Sequence, residues 1–302
     1  MNTVQDVFTE LRPLLFSIAY RMLGSVADAE DVVQESFLRY HQVDTDVESP
    51  KAFLSAVTTR LCIDHLRSAR VRRESYVGQW LPEPLLTSDA DPAQGVSDAE
   101  SLSMAFLLVL ERLSPVERAV FLLHDVFDYD FREIAEIVER SPDNCRQIAV
   151  RARRHVHEHA PRFETSRQER DELAQRFLAA FTEGDVDGLV TLLAADVIVQ
   201  GDGGGHEPSW PNIIAGRDKV VRLLTSLGAD MHRLGLTAIP TQVNGQPGAL
   251  IQDPTGALVN VLSFDIADSA VQTVRSVINP EKLHHLGRLA DRDELLARWR
   301  GR

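Results

Sequence analysis

The chain has 302 residues, a formal charge of −13 from 45 acidic and 32 basic side chains, and two cysteines. At about 100–200 residues per domain, that length calls for two or three domains and excludes a single core. Cys62 and Cys145 lie on separate helical patterns, so they offer neither a disulfide nor a zinc site and read as small core residues.

There is no charged leader before an apolar segment and no apolar run of about 18 residues, so neither export nor membrane spanning is expected, and the chain is placed in the cytoplasm. The acidic total alone would argue against nucleic acid, but the charges are segregated. Arginines gather at Arg60, Arg67, Arg70, Arg72 and Arg73 and again over residues 146–154, while acids fill residues 28–48 and 89–100. Local patches decide the partner.

In chain order, residues 4–23 carry apolar side chains at helical spacing, interrupted by Pro13, and break at Gly24-Ser25. Residues 26–40 form a second helix, with Val26, Ala29, Val33, Phe37 and Tyr40 on one stripe and Asp28, Glu30, Asp31 and Glu35 largely on other faces. Such an acidic face repels phosphate; it is either simply solvated or turned toward a protein partner. Polar residues 43–50 lead through Pro50 to a helix over residues 51–73. Its Phe53, Leu54, Val57, Leu61 and Leu66 suit a core, and its Arg60, Arg67, Arg70, Arg72 and Arg73 build a basic end, a second candidate DNA surface. Arginines at a helix end also serve merely to complement the helix dipole.

Residues 77–97 have low helical promise. Two prolines stiffen Trp80-Leu81-Pro82-Glu83-Pro84, and Trp80, Leu81, Leu85 and Leu86 are too apolar for a solvated tether, so the linker is expected to dock on another surface. From residue 98, Leu102, Ala105, Phe106, Val109, Leu110 and Leu113 mark a helix that stops at Ser114-Pro115, and another follows over residues 116–125. Residues 130–159 then form two amphipathic helices meeting at Glu139-Arg140-Ser141-Pro142, where Ser141 can cap and Pro142 can sit in the first turn without wasting an N–H.

That is a helix-turn-helix pattern. Phe131, Ile134, Ala135 and Val138 are expected to be buried in its first helix, and Cys145, Ile148, Ala149, Ala152 and Val156 in its second. Asn144, Arg146, Gln147, Arg151, Arg153 and Arg154 remain on or near the outer face, where Asn, Gln and Arg can read base edges and further arginines neutralise phosphates. An ordinary solvated helical hairpin shares the pattern.

After a polar joint at residues 161–168, helical patterns at 169–183 and 186–194 lead to an extended stretch at 196–200. A helix at 217–227 is followed by strand-like runs at 234–243, 249–252, 258–265 and 271–278, then Asn279-Pro280-Glu281-Lys282-Leu283 and an amphipathic tail at 291–300. Helices followed by antiparallel strands read as an α+β domain. Gly203-Gly204-Gly205 lacks the Gly-Lys-Ser/Thr ending of a phosphate loop and better serves close backbone approach by another segment, which the Trp80 linker would supply. Asp202 and His206, with Asp196 and Asp253 behind them, are the polar candidates for acid–base chemistry, but their spacing forces no reaction and no catalytic residue is assigned. His155, His157 and His159 diverge along a helix and His284-His285 lack a fixed third ligand, so neither metal nor cofactor is expected.

The first 160 residues resemble an extracytoplasmic-function (ECF) sigma factor of the sigma-70 family. Leu23-Gly24-Ser25 and the helix after it are similar to the element by which such factors hold the clamp of core RNA polymerase. The resemblance implies polymerase contacts at Asp28, Glu30, Asp31, Val32, Gln34, Glu35 and Phe37. It likewise implies minus-10 recognition by residues 43–73, including Arg60, Arg67, Arg70 and Arg72, and minus-35 recognition by the helix-turn-helix. The remainder resembles a SnoaL-like, cystatin-type α+β domain. Trp80 to Pro84, Asp202 to Gly205 and Asn279 to Leu283 are similar to three signatures of the SigJ-like group of ECF factors, in which the fused domain stands in for a separate anti-sigma factor.

The implied organisation is a region 2 domain at 1–75, a linker at 76–97, a region 4 domain at 98–162 and a regulatory α+β domain at 168–302. Trp80, Leu81, Pro82, Glu83, Pro84, Asp202, Gly203, Gly204, Gly205, Asn279, Pro280, Glu281, Lys282 and Leu283 would form the regulatory contact between linker and domain. Expected partners are core RNA polymerase and promoter DNA, with a small-molecule ligand of the α+β domain left open. Two rival readings stay open as well: a ligand-responsive regulator that binds DNA without polymerase, and a small-molecule enzyme of SnoaL type. Two departures stand out. Residues 143–148 (Asp-Asn-Cys-Arg-Gln-Ile) replace the more usual Gly-Thr-Val run, so the minus-35 preference cannot be borrowed, and Glu281 stands where Asp is more familiar.

Overall fold

The computed structural model describes residues 4–43, 47–73, 76–87, 100–159, 165–205 and 212–301. The chain divides into two compact units, one made of residues 1–75 and 93–160, the other of residues 76–92 and 161–302. The linker therefore belongs with the C-terminal unit.

Among the described residues the first unit is all helical: α1 (Val4–Leu23), α2 (Val26–His41), α3 (Pro50–Arg73), α4 (Met104–Leu110), α5 (Pro115–Phe121) with a π-helical turn at Leu122–Val126, α6 (Phe131–Val138) and α7 (Pro142–His159). α1 runs on through Pro13 without a break. Ser25 caps α2 by accepting the Asp28 N–H at 3.1 Å, and capping boxes open α5 at Ser114–Glu117 and α6 at Asp130–Glu133, so each start satisfies its own exposed donors. The core of α3 differs from the apolar stripe expected of it. Leu54, Ser55, Thr58, Thr59, Cys62, Ile63 and Leu66 are buried, whereas Phe53, Val57 and Leu61 are only half-buried. Two of these buried hydroxyls find partners elsewhere in the unit: Thr58 with Ser36 at 2.9 Å and Ser55 with Tyr129 at 2.7 Å. Burial raises the Tyr129 phenol above its ordinary value.

The regions on either side of the linker pack together within this unit. Arg118, 2% exposed, donates to the Met22 carbonyl at 2.6 Å and to Glu111 at 2.8 Å. Burial pulls its guanidinium down to about 9, which leaves it charged at neutral pH, and pushes the neighbouring Cys62 thiol up.

Among its described residues the second unit holds a seven-stranded sheet in the order β1-β4-β5-β6-β7-β2-β3: β1 (Leu86–Thr87), β2 (Leu193–Asp202), β3 (Ile214–Ala215), β4 (Thr237–Val243), β5 (Gln246–Gln252), β6 (Leu258–Ala267) and β7 (Ala270–Val277). All neighbours are antiparallel except β2 and β7, which run parallel. Helices α8 (Arg167–Glu183), α9 (Val186–Leu192) and α10 (Arg217–Leu234) bury Phe177, Phe181, Leu189 and Leu224 with Phe264 and Val274 of the sheet in one core, and α11 (Arg292–Arg300) follows two 3₁₀ turns at Pro280–Lys282 and His284–Leu286. α10 does not stop near Leu227, as its sequence implies. Gly228 is followed by six more helical residues, and a side chain there would strike the Phe181 carbonyl, so the glycine allows two helices to approach closely. Among the described residues, no helix is long and apolar enough to cross a membrane.

Candidate functional site

The helix-turn-helix forms as its sequence dictates locally. Glu139 adopts a left-handed conformation (φ 55°) to end α6, and the Ser141 hydroxyl accepts the Asn144 N–H at 3.2 Å to begin α7. All five expected inner residues of α7 (Cys145, Ile148, Ala149, Ala152 and Val156) are buried. In α6 the buried set is Ile134, Ala135, Ile137 and Val138; Phe131 is only half-buried, with the Arg146 guanidinium 5.6 Å from its ring centre. Asn144, Arg146, Gln147, Arg151, Arg153 and Arg154 are all exposed. Arg153 pairs with Asp125 at 2.6 Å, Arg146 pairs with Asp143, and Arg151 approaches Glu117 at 3.8 Å. Val150, 64% exposed amid these residues, was not singled out by the sequence pattern, although it lies three and four positions from Gln147 and Arg146.

On α2, Asp31 and Gln34 are exposed, and Asp28, Glu30 and Glu35 are half-buried, with Glu30 held by Arg12 at 2.6 Å. Val32 and Phe37 correct the expected contact set. They are 7% and 9% exposed, and Phe37 packs edge-on against Phe8, so both side chains serve the core. Leu38, 58% exposed beside Gln34, is the apolar residue actually presented on this helix. On α3, Arg67 is exposed and pairs with Asp64 at 3.2 Å. Arg60 instead donates to the carbonyls of Glu136 and Ile137, at 2.7 and 2.9 Å, at the C-terminal end of α6. The side chains of Arg70, Arg72 and Arg73 lie outside the described residues, as do residues 44–46 and 88–99.

The linker docks within the C-terminal unit and forms a clasp. Leu81, Pro82, Glu83 and Pro84 are buried, Trp80 is half-buried, and Leu86 and Thr87 pair as β1 with Val243 and Gln242 of β4. At the centre is Asp202, fully buried at the end of β2. It accepts the Leu81 N–H at 2.8 Å, the Gly204 N–H at 3.1 Å and the Tyr76 hydroxyl, and it pairs with Lys282 at 2.7 Å. Lys282 also donates to the Leu81 carbonyl and lies 4.4 Å from the Trp80 ring centre. Asn279 donates to the Tyr76 hydroxyl at 3.0 Å. Burial, and then the bond to Asp202, raises the Tyr76 phenol above its ordinary value, so it stays a donor.

The glycines serve close approach: a side chain at Gly204 (φ 62°) would fall 2.5 Å from the Asn279 amide, and one at Gly205 3.2 Å from Val77. Of the expected set, Glu281 is exposed, whereas Pro280 and Leu283 face an apolar cavity behind the clasp. Sequence reasoning missed Tyr76, His285, which bonds the Pro84 carbonyl at 2.8 Å, and Asn244, whose side chain accepts the Leu85 N–H at 3.0 Å. Asn244-Gly245 carries the usual signal of a tight hairpin turn, which could have marked the place where β1 adds.

Among the described residues, the acid–base candidates do not assemble. Asp202 is committed to the clasp, Asp253 accepts from Thr255 and Ala257 in its own turn, Asp196 is exposed, and His206 lies outside the described residues.

Known proteins match this architecture over almost its whole length. Sigma-70 region 2 matches residues 7–72 and Sigma-70, region 4 matches residues 103–156. The ECF RNA polymerase sigma factor SigJ of Mycobacterium tuberculosis is 39% identical over 288 residues, 91% of each chain. The probable ECF RNA polymerase sigma factor SigI of the same organism is 31% identical over 278 residues, 91% of this chain and 93% of that one. The crystal structure of the Mycobacterium tuberculosis extracytoplasmic function sigma factor SigJ superposes with a TM-score of 0.72 at 36% identity, covering 92% of this chain and 97% of that chain. With both helical regions matched and a relative aligned over 91% of the chain, the chain belongs to the ECF sigma factors of the sigma-70 family.

Proposed function

We propose that this sigma factor acts in the cytoplasm, engages core RNA polymerase through the outer face of α2, and reads promoters at two points. Asp28, Asp31, Gln34, Glu35 and Leu38 form the polymerase face, residues 43–73 meet the minus-10 element, and Asn144, Arg146, Gln147, Arg151, Arg153 and Arg154 meet the minus-35 element. The exposed Val150 contacts a thymine methyl in the major groove. The C-terminal domain acts without turnover and takes the place of a separate anti-sigma factor by holding the linker that joins the two DNA-reading regions.

The observation that carries the regulatory part is the burial of Asp202 between the Leu81 N–H and Lys282. A fully buried ion pair closing on a linker backbone is retained more readily as a specificity device than as a source of stability. Run-off transcription with purified core polymerase tests it: Trp80→Ala, Asp202→Asn and Lys282→Met are each expected to change promoter output relative to the unaltered chain. Unchanged output from all three would remove the regulatory reading.

A further inference from the structure

Behind the clasp lies a cavity of about 190 Å³. Its walls are almost entirely apolar, with Phe177, Phe181, Leu224 and Leu262 from the core and Leu295 and Trp299 from α11. An engineered cavity of about 150 Å³ with comparable walls takes benzene in another protein, so this one suits a molecule somewhat larger than benzene.

The largely apolar wall disfavours a charged occupant, and the polar groups within it are already engaged. Asp230 already accepts the Trp299 indole N–H at 2.8 Å and an Arg233 N–H at 3.1 Å, and Arg292 donates to the Ile278 carbonyl at 3.2 Å. A charge brought inside would leave water for a mostly apolar surface, a desolvation cost that a neutral molecule avoids. Asn260 and Ser276, bonded to each other at 2.9 Å, retain hydrogen-bonding capacity for one neutral polar group.

α11 closes the mouth without burying any residue fully. It is fastened at its C-terminal end, where Arg298 donates to the Leu234 carbonyl at 2.8 Å and Arg233 donates to the Arg298 carbonyl at 2.7 Å, and at its start by the bond from Arg292 to the Ile278 carbonyl. A half-buried helix of nine residues with no fully buried side chain can lift to admit a ligand.

The far wall is the segment of residues 278–283, and its residues alternate in duty. Ile278, Pro280 and Leu283 line the cavity, while Asn279 and Lys282 hold Tyr76, Asp202 and the Leu81 carbonyl. One short piece of chain therefore presents one side to the cavity and the other to the linker. We propose that the cavity binds a small, neutral, largely apolar molecule with one hydrogen-bonding group, and that its occupancy tightens the grip of residues 278–283 on the linker.

This inference rests on the reading that the clasp regulates the factor, but its test uses neither polymerase nor DNA, so the two fail separately. The probe is 5-fluoroindole, neutral and of matching size, titrated into the full-length chain and followed by ¹⁹F NMR. Hydrogen exchange of the Leu81 amide is measured at the same ligand concentrations, with the Ile134 amide of α6 as control. The expected result is saturable binding and, at about ten times the dissociation constant, Leu81 exchange slowed by up to about tenfold with Ile134 unchanged. Leu227→Trp, which fills the cavity from the half-buried side of α10, should abolish both effects. Val259→Trp serves the same purpose if circular dichroism shows the first variant misfolded. Absence of saturable binding, binding that survives both filling substitutions, or binding with Leu81 exchange unaltered would each overturn the proposal.

Discussion

Lys282→Met isolates the electrostatic centre of the clasp. The substitution keeps most of the side-chain volume and removes the ammonium that lies 2.7 Å from a fully buried carboxylate. Removing one member of a buried pair costs about 3–5 kcal/mol, because the remaining charge is left uncompensated. Asp202 keeps three other donors, from Leu81, Gly204 and Tyr76, so the lower end of that range applies. At about 1.4 kcal/mol per tenfold, 3 kcal/mol raises the open population of the linker on the order of a hundredfold. Hydrogen exchange at the Leu81 and Leu85 amides reads that population directly, since both are bonded to side chains of the C-terminal domain. The double substitution Lys282→Met with Asp202→Asn should exchange more slowly than Lys282→Met alone, because the orphaned charge is gone. Exchange that rises less than about fivefold in Lys282→Met, or a double variant looser than the single one, would refute a charge-centred clasp.

Three further outcomes follow from the geometry. Gly204→Ala places a Cβ on the Asn279 amide at a left-handed backbone position and should cost about 1–3 kcal/mol of clasp stability, read as faster Leu81 exchange, while Gly256→Ala, also left-handed but in open space, should leave that exchange unchanged. Val150→Ser should leave the melting temperature within about 2 °C, because the side chain is 64% exposed, yet alter base preference in a minus-35 binding selection. Hydrogen bonds from the Glu133 and Arg132 N–H groups hold the Asp130 carboxyl below its ordinary 3.8. A carboxyl with a lowered folded value stabilises fully above the unfolded value and loses that stabilisation as pH falls through the folded one. The helix-turn-helix should thus weaken below about pH 4 in urea titrations, and Asp130→Asn, which still caps, should show a flatter acid limb.

Much of the fold was legible where local chemistry determines it. The Ser141-Pro142 start of α7 and its five-residue inner stripe depend on neighbours within one helix, and both formed as read. The apolar linker with its two prolines also declared itself, since Leu81 and Pro82 have no reason to be apolar unless covered. What the sequence could not show were partners far apart along the chain. Thr58 and Ser55 are buried because Ser36 and Tyr129 meet them, which no periodicity records, so Phe53 and Val57 were wrongly favoured as core. The helix expected over residues 217–227 runs on through Gly228, whose packing role depends on the Phe181 carbonyl of another helix. The cavity is likewise built from elements up to 122 residues apart, from Phe177 to Trp299, and emerges only from their packing.

The helical unit also ranks its two DNA-directed surfaces. On α7, the pairs Arg153–Asp125 and Arg151–Glu117 join partly exposed partners, and exposed ion pairs contribute only about 0–1 kcal/mol. A DNA phosphate can replace such partners at little cost, and the released counterions favour the exchange. Arg60 is different: its guanidinium is spent on two carbonyls at the end of α6, in the same interface as the buried Ser55–Tyr129 bond and the Arg118–Met22 bond. Freeing it means breaking neighbouring bonds whose buried donors and acceptors each cost about 1–3 kcal/mol when left unsatisfied. A side chain cannot cap α6 and contact the minus-10 strand with the same N–H groups. On the proposed promoter reading, α7 can therefore meet the minus-35 element in the arrangement seen here, whereas Arg60 reaches the minus-10 element only after α3 parts from α6, a step that tight polymerase binding has the free energy to drive.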